Sequence, residues 1–450
     1  MKKPTVFLAA LLILLSIIAC SNSRTSGITG GSGIQSNSSQ NEGENGEPQM
    51  TTLRLFTALS DRMNGAGKVE QAIIDRYMLE HPSIKIEVEA LQDEPYKSKM
   101  KIYSSTNSLP DIIQTWGQPS FIKPLIDHHM LLELPANKFA DSGFIKGATE
   151  GFSQDGKLYG LPRSTDYLVF YYNKKIFADN GLSVPTSFEQ LKAVVKALRA
   201  EGINPIAVNG MDRWVFPIWF EYTQQRQSGS FDRMDDALAR KVKFTEPGFV
   251  AAARQMQELA QAGGFADGYL TTDYGAARNL FGQGNAAMYL VGNWELGIAT
   301  DANFTPQFRQ YVGAFPYPAS AKGAATDVAA WFGGGYSVSS ASKHTAEALQ
   351  FLEYFFKPEH WANTLWESGV GTPASRFVMS GKETALQQEL FEIFSSMKSS
   401  SGTPVLDTST ADWKEAMMDL NAKLLLGQLT PEQFTEELDK AADIAASARH

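Results

Sequence analysis

Between residues 50 and 113 the hydrophobic period switches repeatedly between two and 3.6, and this alternation constrains the fold more than any other feature of the chain. Leu53 and Leu55 alternate with more polar positions, as in a strand. Val69, Ile73, Ile74, Tyr77 and Met78 fall on one helical face, and His81-Pro82 stops that helix because proline cannot continue the backbone ladder. Ile84, Ile86 and Val88 alternate with Lys85, Glu87 and Glu89, a second strand. A further helical stretch leads into Leu109-Pro110-Asp111-Ile112-Ile113, a short buried strand. Strand, helix, strand, helix, strand predicts a parallel sheet covered by helices, an α/β fold.

Punctuation residues extend the reading along the chain. Asp155-Gly156 predicts a tight turn between Phe152 and Leu158-Tyr159, and Leu168 to Tyr172 reads as an apolar strand. Thr186 and Glu189 predict a capping box for a helix carrying Leu191, Val194, Val195 and Leu198, with Gly202 placed to end it. Ala346, Leu349, Phe351, Leu352 and Phe355 stripe another helix, closed by Lys357-Pro358. Thr430 and Gln433 predict a second capping box, with Pro431 at the first helical position. The full 450 residues exceed one core, and at ~100–200 residues per domain two or three compact units are expected.

Several chemistries are excluded early. A net charge of −9 offers no basic excess for a nucleic-acid backbone or an anionic membrane surface. One cysteine makes neither an internal disulfide nor a cysteine-rich zinc site. The histidines contain no helical metal pair, and no GxSxG elbow is present. Gly282-Gln283-Gly284-Asn285-Ala286-Ala287 matches a dinucleotide fingerprint formally, but it precedes the strand-like Met288-Tyr289-Leu290, so the required order is reversed and it reads as a turn. Gly333-Gly334-Gly335 likewise leads into a strand. No metal, cofactor or catalytic motif is expected. With 49 Asp and Glu residues, a tethered glycosidase using two carboxylates stays open as an alternative.

Cys20 ends a segment in which Lys2 and Lys3 precede an apolar run from Val6 to Ala19. That run is short of the ~20 residues a membrane span needs and fits a secretory signal. Ile17-Ile18-Ala19-Cys20 resembles a bacterial lipobox, which implies cleavage after residue 19 and lipidation of Cys20. The competing reading is a thiol in a short membrane helix. Ser, Gly and Asn make up 17 of residues 21–49, so this stretch reads as a flexible tether of about 30 Å reach.

The body beyond residue 50 resembles an extracellular solute-binding protein of an ABC importer, of the carbohydrate-binding type related to maltose-binding protein. The matching blocks occur in the family's order: Pro110-Asp111-Ile112-Ile113, Asp155-Gly156-Lys157-Leu158-Tyr159-Gly160-Leu161-Pro162, Tyr171-Tyr172-Asn173-Lys174-Lys175-Ile176-Phe177, Gly181-Leu182 through Pro185, Phe281-Gly282 through Met288, Gly292-Asn293-Trp294 and Gly333-Gly334-Gly335-Tyr336. The resemblance implies a two-lobed periplasmic-binding-protein fold with interleaved lobes, 50–163 plus 316–358 and 164–315 plus 359–450, joined by a hinge of several crossovers. It implies a monomer held on the outer face of the cell membrane by its lipid anchor alone. Such a protein captures a sugar, an oligosaccharide by the spread of tryptophans, and delivers it to permease subunits. A polyamine, peptide or organic anion is the alternative solute.

A sugar site needs flat aromatic platforms and side chains that donate and accept hydrogen bonds. Trp116, Trp214, Trp294, Trp331 and Trp413 have polar or glycine neighbours at expected strand ends or loops, and each is a candidate platform, although tryptophan is also ordinary core packing. Trp361 and Trp366 are assigned to the core. The resemblance adds Asp61 and Arg62 after the first strand, Gln118 beside Trp116, and Asp166 at the first expected crossover, with Glu295 beside Trp294. Arg163 reads as a structural hinge residue.

Overall fold

The computed structural model describes residues 50–447, so Cys20 and the 21–49 stretch lie outside the described residues. The alternation at the start of the body forms as expected. Thr51–Thr57 lies between Ile84–Ala90 and Ile112–Trp116, all parallel, and the helix Gly65–Glu80 buries Val69, Ile73, Ile74 and Tyr77 beneath them. Gly334–Val338 then adds antiparallel to Ile112–Trp116, and Leu161–Pro162 closes this five-stranded sheet. A second sheet is centred on the nine-residue strand Thr165–Asn173, flanked by Val312–Phe315 and Ala286–Gly292, with Asn204–Ala207 parallel to the latter. Each sheet has its own buried hydrophobic cluster. The architecture is two-lobed α/β.

Local signals acted mostly where expected. Asp155 and Gly156 both take positive φ, 53° and 75°, in the two-residue turn that joins Ser153–Gln154 to Lys157–Leu158. Thr430 and Gln433 form the reciprocal capping box, at 2.9 and 3.2 Å, ahead of the helix Pro431–Ser447. The box expected at Thr186 and Glu189 is displaced by one residue. Ser187 caps the helix Phe188–Ala200 by accepting from the Gln190 amide, and Gln190 reaches back to Thr186 at 2.8 Å. Glutamine in place of Glu189 makes the return contact because it lies three residues past the true cap.

The chain crosses between the sheets three times in close proximity. Leu161–Pro162 belongs to the first sheet, and Thr165 already belongs to the second. Ala330–Phe332 pairs with Thr165–Asp166–Tyr167, whereas Gly334 pairs with Trp116 of the first sheet, so the second crossing occurs at Gly333. A Cβ on Gly333 would overlap the Asp166 carboxylate. The third crossing runs past Thr372 and Pro373, which bond Thr165 and bridge Ser164.

Core packing therefore changes sides later than the switches placed at 315/316 and 358/359. Tyr317 stays with the larger core, its ring stacked on Tyr222 at 4.7 Å and its carbonyl accepting from Arg226 at 2.9 Å. Trp361 stays with the smaller core, stacked on Phe355 at 4.8 Å, and Leu365 and Val370 pack with it. In both cases buried aromatic contacts hold the segment with its own core past the switch that the resemblance implied.

Candidate functional site

A cleft of about 550 Å³ opens where the strand ends of the two sheets face each other beside the crossings. Asp61, Trp116, Gln118, Asp166, Trp214, Trp294, Glu295 and Trp331 line it, so eight of the ten positions expected to form a site are brought together.

One wall is a row of indoles. Trp214 and Trp294 have ring centroids 6.0 Å apart, and Trp294 and Trp331 lie 6.1 Å apart. Gly292 makes this possible, since a Cβ there would collide with the Trp294 ring. Trp294 Nε1 donates to the Tyr274 hydroxyl at 2.9 Å. Trp116 comes from the other sheet, braced edge-on by Phe121 at 4.9 Å and Tyr96 at 5.6 Å. Gln118 is buried beside it at the start of the helix Pro119–Asp127, and its side chain caps nothing.

The polar groups differ in how committed they are. Asp61 accepts from the Met63 and Asn64 amides at 2.9 and 3.0 Å, closing a turn. Burial raises its pKa, but those bonds and the charge of Arg278 leave it below the ordinary carboxylate value. Glu295 is held by Tyr274 and by Arg278 Nε at 2.8 Å. Asp166 is different. It is buried, its Oδ1 has no partner, and burial pushes its pKa up to about 6 against a Ser164 bond and the Arg163 charge. Arg163 lies at the crossing, bonded to Glu70 at 3.1 Å and Gln114 at 2.7 Å, with Nε unpartnered.

Two bonds run across the cleft. Trp214 Nε1 donates to Asp93 Oδ2 at 2.9 Å, and Ser120 Oγ donates to Asp407 Oδ1 at 2.6 Å.

Arg62 and Trp413 do not line the cleft. Arg62 turns back onto Glu70 and Gln71, because the fully buried Glu70 requires a counter-charge. Trp413 is 1% exposed in the first turn of the helix Ala411–Leu425 and bonds the Val405 carbonyl at 2.8 Å. It packs behind the 404–407 segment rather than facing solute. Conversely, Trp361, assigned to the core, is largely buried yet also lines the cleft, with Nε1 donating to the Arg163 carbonyl at 2.7 Å. Sequence reasoning missed Tyr274 and Arg278. Their i, i+4 spacing behind the Asp273 cap signals one shared helix face, and the fold turns that face toward Glu295. Among the described residues no group of His, Cys, Asp and Glu is arranged to hold a metal ion.

A family model described as bacterial extracellular solute-binding protein matches residues 61–360. The multiple sugar-binding protein of Streptococcus mutans serotype c is 22% identical over 302 residues, 63% of this chain and 66% of that relative, so the match spans just under two thirds of the relative's length. The arabinooligosaccharide-binding protein of Bacillus subtilis is 24% identical over 416 residues, 88% of this chain and 86% of that one. A structure solved in work on xylan utilization by the thermophilic bacterium Caldanaerobius polysaccharolyticus is 26% identical, with a TM-score of 0.79 over 86% of this chain and 99% of that one. With the family model covering most of the folded body, and a two-lobed fold around an aromatic cleft, the chain belongs to the bacterial extracellular solute-binding protein family.

Proposed function

We propose that this protein captures an oligosaccharide in the cleft and delivers it to the permease subunits of an ABC importer. The observation that carries the reading is the row Trp214, Trp294, Trp331, with Trp116 contributed by the other sheet to the same cleft. Two successive steps of about 6 Å give more stacking length than a single sugar ring covers. Around the row stand Asp61, Gln118, Asp166 and Glu295, which supply hydrogen bonds to hydroxyls. The lobes, in this reading, meet at the crossings near residues 163, 333 and 372, and closure about them buries the sugar.

The site is a binder rather than a catalyst. Glycoside hydrolysis needs an acid and a second free carboxylate. Asp166 has the raised pKa of an acid, but Asp61, Asp93, Glu295 and Asp407 are each engaged by amides, Tyr274 or cations. Release of reducing sugar from an oligosaccharide would overturn this. Carboxylates beside indoles also suit a cationic solute, and spermidine belongs in the same screen.

The test is calorimetry on a sugar found by thermal shift. Trp294→Ala is expected to weaken binding at least tenfold, within the ~2–4 kcal/mol of hot-spot truncations, with little change in Tm. Unchanged affinity removes the indole row from the site. The chain is proposed to act as a monomer tethered through 21–49 to a lipid on Cys20, after loss of residues 1–19. Radiolabelled palmitate incorporation that survives Cys20→Ala refutes the anchor.

A further inference from the structure

Among the described residues, every cation lining the cleft is already bonded to a carboxylate. Lys97 Nζ lies 2.8 Å from Asp93 and 2.6 Å from Glu94. Arg278 bonds Glu295 and Asp301, both at 2.8 Å. Lys414 Nζ lies 2.7 Å from Asp407, and Arg163 lies 3.1 Å from Glu70. Asp61 and Asp166 add two more carboxylates to the lining. An acidic solute has no free counter-charge here. It must either strip a cation from its partner or sit unpaired in a cleft with a carboxylate surplus, and both are costly away from water.

Two buried atoms are left unpaired beside the crossing, Arg163 Nε and Asp166 Oδ1. One only donates and the other, when ionised, only accepts. A hydroxyl carries a hydrogen that it can offer to a carboxylate. A carboxylate or phosphate only accepts, so it has no hydrogen to offer Asp166 and meets it as like charge.

We propose that the cleft selects against acidic solutes, with Asp166 the carboxylate that sets like charge against them beside the crossing. The proposal rests on the saccharide reading and narrows it to sugars with no carboxylate or phosphate at this point of the cleft. The experiment is calorimetry of the full chain at neutral pH and low salt. The neutral probes are xylotriose, arabinotriose and triacetylchitotriose. The acidic probes are trigalacturonate and a xylo-oligosaccharide bearing glucuronic acid. The acidic probes are expected to bind at least about 100-fold more weakly than the best neutral one, with the gap narrowing as salt screens the repulsion. Asp166→Asn is expected to tighten binding of the acidic probes themselves and to shrink the gap about tenfold or more. An acidic probe that matches the best neutral probe overturns the charge selection. Acidic-probe affinity that Asp166→Asn leaves unchanged overturns the role given to Asp166. Binding of no probe in either set removes the saccharide reading itself, and this narrowing of it falls with it.

Discussion

Replacing Asp166 by asparagine should make the free protein more stable and a poorer sugar binder. The side chain is 7% exposed, lacks a partner for Oδ1, and is held by burial at a pKa of about 6 against an ordinary value of 3.8. An acid whose pKa is higher folded than unfolded binds its proton more tightly in the folded state. Its cost is absent below pH 3.8, grows as pH rises from 3.8 to 6, and is complete above pH 6. About two pKa units correspond to at most about 3 kcal/mol. Unfolding entropy scales to roughly 0.8 kcal/mol/K for a body of this size, so Asp166→Asn is expected to raise Tm by up to about 3–4 °C at pH 8 and by almost nothing near pH 4. The same change halves the acceptor capacity offered to a sugar hydroxyl and removes a charge-assisted bond, which is expected to weaken affinity about tenfold or more. Differential scanning calorimetry across pH, paired with binding calorimetry at pH 8, reads both effects. A variant less stable than the parent at pH 8, or one with a pH-independent gain, refutes the placement of Asp166 as a buried, unsatisfied carboxylate. A variant that gains stability and keeps its affinity refutes its role toward the ligand.

Two further outcomes follow from single groups. Glu221 is 2% exposed within the helix Val215–Ser228, and burial pushes its pKa up to about 8, so its cost likewise accumulates with rising pH, here between 4.5 and 8. Glu221→Gln is expected to gain about 2–3 kcal/mol at pH 7 and nothing near pH 4.5, as read by denaturant titration, and an equal gain at both pH values refutes the assignment. Trp214→Phe keeps a ring in the indole row but deletes the 2.9 Å bond to Asp93 across the cleft. A bond to a charged partner contributes about 1.5–3 kcal/mol, so the sugar-free variant is expected to favour an open form, seen as a larger radius of gyration in solution scattering. Scattering identical to the parent sinks the idea that this bond holds the cleft shut.

What the sequence disclosed and what it withheld divide along a physical line. Strand and helix periods are local, so the alternation over 50–113, the Asp155-Gly156 turn and the Thr430 cap could all be read directly. Side-chain direction is not local. Trp116 and Trp413 both stand beside polar neighbours, yet one ends a strand at the cleft and the other turns inward from the first turn of a helix. Asp61 and Arg62 are adjacent, but the first closes a turn at the cleft and the second is drawn back by the buried charge of Glu70. Tyr274 and Arg278 were missed because an i, i+4 pair on a helix looks the same whether it faces water or Glu295. The family resemblance supplied the interleaving but set its switches about 15 residues early, because it could not weigh the Tyr317–Tyr222 and Trp361–Phe355 stacks that keep those segments with their cores. The bonds that span the cleft join residues 121 and 287 positions apart. Such pairings exist only after three crossings have set two sheets face to face. A binding cleft is therefore where a single sequence is least readable: its residue types can be guessed from chemistry, but its partners are chosen by topology.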